Sequence, residues 1–139
     1  MAQEVNLELS VKNFFGPPIG ETSIPKYIVD KLNNFVDNAI DKNTKLASDL
    51  DHGSNLVGQV KQEIRIPDEL LKPDLFAFLF NITKYYIKGS INKEIKKFEV
   101  IDSWIVRQFE NEYNPIHYHN GHISGAGYIK LPESFGEST

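Results

Sequence analysis

Residues 98–109, FEVIDSWIVRQF, carry apolar side chains on both parities of an extended chain: Val100, Trp104 and Val106 on one, Ile101, Ile105 and Phe109 on the other. Alternate side chains of a strand point to opposite faces, so a strand written this way has no face to give to water and must be covered on both sides. It predicts a layered fold in which other elements back a sheet. Asp102 and Ser103 interrupt the run. A carboxylate inside such a strand needs a hydrogen-bonding or ionic partner, which favours a satisfied structural Asp over a chemical one.

The covering layers are legible upstream. After Ser23-Ile24-Pro25, the residues Ile28, Leu32, Phe35, Val36 and Ile40 recur with helical spacing and predict an amphipathic helix of about four turns. A second helix is signalled by two starts, Asp68-Glu69 and Pro73-Asp74, and by the stripe Leu75, Phe78, Leu79, Ile82, Tyr85 and Tyr86, with Gly89 as its expected stop. That aromatic stripe is read as core packing, with no chemical role. Val5, Leu7, Leu9 and Val11 alternate with polar residues over 4–12 and predict a first strand, which the Phe14–Gly20 stretch of Gly and Pro breaks. Residues 41–58 show no period and read as a loop, in which His52 is expected to be solvated. Residues 59–66 predict a short strand that Pro67 ends. The order points to an α+β domain with helices on one face of a mostly antiparallel sheet. Residues 1–97 form its supporting region and 98–132 its core strands.

At 139 residues the chain is one domain or part of one. Fifteen Lys and Arg against nineteen Asp and Glu leave a net charge of −4, and no basic cluster offers contacts to a phosphate backbone, which argues against direct nucleic-acid binding. The absence of cysteine removes disulfides, thiolate metal sites and Cys nucleophiles. No stretch is long and apolar enough to span a bilayer and the N-terminus is unlike a signal peptide, so the expectation is a cytoplasmic protein without membrane contact.

Chemistry concentrates between Tyr113 and Leu131, where three of the four histidines fall in His117-Tyr118-His119-Asn120-Gly121-His122. Asn-Gly between two strand-like runs is a strong hairpin signal, because both central residues of a type I′ turn need positive φ. With Asn120 and Gly121 as the loop, His119 and His122 become cross-strand partners, and His117, His119, His122, Ser124 and Tyr128 project from one face. Imidazoles converging on one sheet surface predict a metal site. A lone His-x-His pair beside a turn is more often only polar surface. The small residues Ser124, Gly125, Ala126 and Gly127, which leave room above the sheet, weigh toward a ligand.

Two stretches, Asn114-Pro115-Ile116-His117-Tyr118-His119 and Ile123 to Pro132 (ISGAGYIKLP), together with the preceding Ile101-Asp102-Ser103-Trp104-Ile105-Val106, resemble the iron(II)/2-oxoglutarate-dependent dioxygenases related to prolyl hydroxylases, a family found in bacteria and phages. The resemblance implies a double-stranded β-helix, or jelly roll, backed by N-terminal helices. It implies iron(II) and 2-oxoglutarate as cofactors and C–H hydroxylation as the activity. His117 takes the place of the first iron ligand. His119 stands where the wider superfamily has Asp or Glu, a departure from its triad of two His and one carboxylate. Tyr128 matches a position that reaches 2-oxoglutarate, with Ser124 behind it. His122 has no counterpart in the family and is a substitute-ligand candidate from the hairpin geometry alone.

The family pattern also includes a distal His and an Arg that pairs with the far carboxylate of 2-oxoglutarate. No His follows His122 and no Arg follows Arg107. The expectation is therefore the N-terminal half of such an oxygenase, with a completing chain or second copy, or a non-catalytic structural or interaction module, as rivals. A cupin fits less well, because Ile123 and Ser124 stand where its Glu is expected. A zinc site of three imidazoles is a further option. Nothing selects a substrate.

Overall fold

Pro25 opens the first helix, its carbonyl accepting the backbone N–H groups of Ile28 and Val29 at 2.9 and 3.2 Å. Helix α1 runs Lys26–Lys42 and buries the predicted stripe at Ile28, Leu32 and Val36. These details come from a computed structural model that describes residues 8–13, 15–42, 44–53 and 59–134. The start of the strand expected at 4–12, Phe14, the side chain of Ile40, residues 54–58 and the end of the polar tail lie outside the described residues.

In chain order the elements are β1 (Ser10–Lys12), β2 (Ile19–Glu21), α1, α2 (Thr44–Asp49), β3 (Gln62–Arg65), α3 (Asp68–Leu70), α4 (Phe76–Ile91) and β4 (Trp104–Arg107). The chain is α+β with antiparallel pairing throughout the described sheets. Pro67 starts α3, as expected for a residue without an N–H, and its carbonyl accepts from Leu70 and Leu71. A wider turn, Leu71–Leu75, joins α3 to α4 and kinks at Lys72 (φ −103°, ψ 147°), the extended conformation favoured before a proline. α4 runs past Gly89 and stops at Asn92, whose left-handed backbone (φ 54°, ψ 39°) returns its N–H to Lys88. Gly89 instead lets β1 approach: a Cβ there would lie 3.0 Å from Cγ2 of Val11. The Tyr86 hydroxyl donates to the Pro18 carbonyl at 2.7 Å and fixes the β1–β2 connection on the same helix.

The core joins α1 to the α3–α4 unit and to β4: Ile28, Leu32 and Val36 meet Leu70, Leu71, Leu75, Phe78 and Ile105. β3 and β4 pair from Gln62↔Arg107 to Arg65↔Trp104. On the other edge of β3, the loop expected at 41–58 holds α2 and then the 50–52 segment, with a bridge Asp51↔Ile64. There the His52 N–H donates to Glu63 O at 2.8 Å and the Arg65 N–H to Leu50 O at 2.9 Å. The result is a three-ply ribbon with two chemically distinct faces. Ile64 and Ile105 bury one. Glu63, Trp104 and Val106 lie on the opposite face, and His52, one step from the Asp51 bridge, joins them.

The strand expected over 98–109 forms only at Trp104–Arg107. Ile101 and Phe109, expected to be covered, are 65% and 48% exposed. The ladder ends at the bond from the Ile66 N–H to Ser103 O at 3.0 Å, because the next residue that could donate toward β4, Asp68, is already in α3. The described strands make two separate two-stranded sheets, and no jelly roll is formed among the described residues. Among them, too, no helix is long and apolar enough to cross a membrane.

Candidate functional site

The hydrophilic face of the ribbon carries the chemistry. His52, expected in a solvated loop, is 7% exposed and pinned at both ends. Its backbone is held by Glu63 O, and its Nε2–H donates to Asp102 Oδ2 at 3.1 Å. The second Asp102 oxygen accepts the Ser103 N–H at 2.8 Å, so Asp102 is the satisfied carboxylate that the sequence favoured. Trp104 meets two imidazoles, His52 and His119, each with ring centroids 5.4 Å away. His117 meets His119 edge-on at 4.6 Å. The segment bearing both histidines is brought over the ribbon by a backbone bridge, in which the Gln59 N–H donates to Tyr113 O at 2.9 Å.

The Nε2 atoms of His117 and His119 approach to 3.0 Å. His117 Nδ1 lies 2.6 Å from the Pro115 carbonyl, and because a carbonyl only accepts, that nitrogen carries the hydrogen. In the neutral ring this leaves the His117 Nε2 lone pair facing His119, which donates across the pair. A proton or a metal ion can bridge such a pair. Two imidazole nitrogens each about 2.1 Å from one ion at a right angle are about 3.0 Å apart, the separation seen here. A backbone carbonyl on the far nitrogen is also how proteins fix the tautomer of a metal-binding imidazole.

Glu63 is the residue that sequence reasoning missed. It is 2% exposed, and its Oε1 has no hydrogen-bond partner among the described residues. Burial pushes its carboxyl up from the ordinary 4.5; His52 opposes the rise, Asp51 adds to it, and His117 opposes it. A carboxyl that holds its proton more tightly when folded adds stability that is complete below the ordinary carboxylate value and fades as pH rises through the raised folded value. Glu63→Gln, which cannot ionise, is therefore expected to flatten the fall in melting temperature as pH climbs from 4.5 toward neutrality. Parallel melting curves of the two proteins across that range would refute the assignment.

The other expected site residues are not gathered with the pair. The Asn120-Gly121 hairpin does not form: Gly121 has φ 107°, but Asn120 is not among the residues with positive φ, and a type I′ turn needs both. Among the described residues no ladder partner flanks the turn on either side, and a hairpin signal without one leaves the chain irregular from 114 to 128. His122 and Ser124 are exposed, and neither has a hydrogen bond or a ring contact with the pair among the described residues. Tyr128 is 80% exposed. Beyond it the Ile129 carbonyl accepts from Asn33 Nδ2 at 2.8 Å, which draws the chain onto α1 and off the ribbon.

Among the described residues no group of three or more His, Asp or Glu is placed to hold a metal ion. The convergent pair thus offers two protein ligands. It fits iron or another imidazole-seeking divalent ion in part. For 2-oxoglutarate the described residues do not fit, since Tyr128 and Ser124 are exposed and neither is hydrogen-bonded to the pair among them. Comparison of the chain with protein-family models, with curated proteins and with solved structures finds no match in any of the three.

Proposed function

We propose that His117 and His119 are two ligands of a divalent metal, and that the chain is the N-terminal, metal-binding part of a non-haem iron(II) oxygenase of the 2-oxoglutarate-dependent kind. The observation that carries this reading is the 3.0 Å convergence of the two Nε2 atoms, with His117 already held in the ligating tautomer by Pro115. In this proposal the fold is part of a double-stranded β-helix, with the β3–β4 ribbon as its floor and the N-terminal helices behind it. A completing segment or a second copy adds the distal ligand and the base for 2-oxoglutarate. Such a site works where iron stays reduced, which suits a cytoplasmic protein. When bound, the metal supplies oxygen activation. The chain's own part is to present two oriented imidazoles and to keep Trp104 against His119.

Trp104 is the sole tryptophan and touches His119, so its emission reports on the pair. Anaerobic titration with iron(II) is expected to quench that emission and to saturate at equimolar metal; emission that stays unchanged overturns the metal reading. Adding 2-oxoglutarate to a protein that includes the distal residues is expected to produce a visible metal-to-ligand charge-transfer band. Metal binding with no band there overturns the oxygenase part alone. A second reading, a non-catalytic interaction module, draws on the nearly full exposure of Ile116 and Tyr118 beside the pair. It predicts no quenching.

A further inference from the structure

His117 and His119 are not held alike. The far nitrogen of His117 is tied to Pro115, whereas His119 makes no hydrogen bond through Nδ1 among the described residues and sits on an exposed, irregular segment. The His119 ring also meets Trp104, at 5.4 Å and 53°. Trp104 in turn rests at 5.4 Å and 33° on His52. His52 is buried and fastened by its backbone to Glu63 and by its ring to Asp102. An apolar side chain would fill the position of His52 without the cost of removing an imidazole and a carboxylate partner from water. A hydrogen-bonded pair does what an apolar residue cannot: it fixes the ring's direction as well as its volume.

We propose that Asp102, His52 and Trp104 form a brace that sets the orientation of the His119 ring for metal binding. The inference rests on the metal reading of the histidine pair given above and adds the residues that position it. Asp102 orients His52 through a charge-assisted hydrogen bond, His52 supports one side of the indole, and the indole offers a flat surface to His119. None of the three is a ligand. Each acts through the next, and the last contact limits the orientation of the His119 ring, whereas the Pro115 carbonyl fixes both the orientation and the tautomer of His117. The brace also joins three separate stretches of chain, 50–52, β4 and the histidine segment, so a ligand geometry exposed to solvent is referred back to a buried, hydrogen-bonded group.

The test is cobalt(II) titration of the intact chain, read by Trp104 emission for wild type, Asp102→Ala and His52→Gln, with thermal melting alongside. Loss of a residue that orients a metal-binding imidazole typically weakens the metal by about 10-fold or more, and that loss is expected in both variants. The Asp102 side chain is one-third exposed, so Asp102→Ala is expected to fold and to melt near wild type, and it carries the test if His52→Gln does not fold. In a second pair read by cobalt absorption, Trp104→Phe keeps a flat ring and is expected to bind nearly as wild type, while Trp104→Ala is expected to bind weakly. Wild-type quenching with unchanged affinity in Asp102→Ala, or equal affinity in the two Trp104 variants, overturns the brace and leaves the metal reading standing. No cobalt binding by the wild-type chain overturns both.

Discussion

Ile28→Ala is expected to lower the stability of the chain by about 2–5 kcal/mol, the range for deleting a buried branched side chain and leaving its cavity. Ile28 is 1% exposed and sits where α1 meets Leu70, Leu71, Leu75 and Phe78. The described sheets are short two-stranded pairs, which are marginal on their own in water. The helical cluster therefore holds the domain together, and small domains have only about 5–15 kcal/mol to lose. Urea unfolding followed by far-UV circular dichroism checks this. A lower midpoint at constant slope is expected, and a loss below about 1 kcal/mol would mean that the core lies elsewhere.

His117→Ala with His119→Ala is expected to have the opposite profile. Both rings are exposed and neither belongs to the core, so stability should stay within about 0.5 kcal/mol of wild type. Metal-induced quenching of Trp104 should vanish. Isothermal titration with cobalt(II) checks the loss independently of fluorescence, since removing His119 also changes the surroundings of the indole. Retention of wild-type affinity by the double variant would assign the metal to other groups, His122 among them.

The helices were legible because their signal is local. The stripe of Ile28, Leu32 and Val36 is buried as its spacing requires, and Phe78 plays the same part in α4. Residues 59–66 likewise read as a strand, and β3 lies within them. The misreadings share a cause, which is dependence on a partner far along the chain. His52 looks solvated among Asp49, Asp51 and Gly53 until the Asp51↔Ile64 bridge places it beside Glu63 and under Trp104. Glu63 carries no local mark of burial; it is 2% exposed, and the 50–52 segment is bonded to its carbonyl. Asn120-Gly121 fails for the converse reason, because turn chemistry is local but a hairpin also needs two strands able to pair.

For the site, His117 and His119 meet as their spacing in sequence allows, although an irregular segment presents them in place of a strand. Tyr128 and Ser124 were placed with them by a hairpin that is not formed. The contact of His119 with Trp104 had no signal at all, since the two lie fifteen positions apart and the chain between them is irregular after β4. A Trp followed downstream by a His-x-His segment is too common a pattern to imply contact.

The stretch from 114 to 128 is strung between two backbone moorings, Tyr113 on Gln59 and Ile129 on Asn33, neither of which uses a side chain of the stretch itself. Lengthening a tethered connection costs little, roughly 0.6 kcal/mol per doubling. The histidine-bearing piece therefore behaves as a cassette: ligand type and reach can be rewritten between the moorings while the helical body keeps its own account of stability.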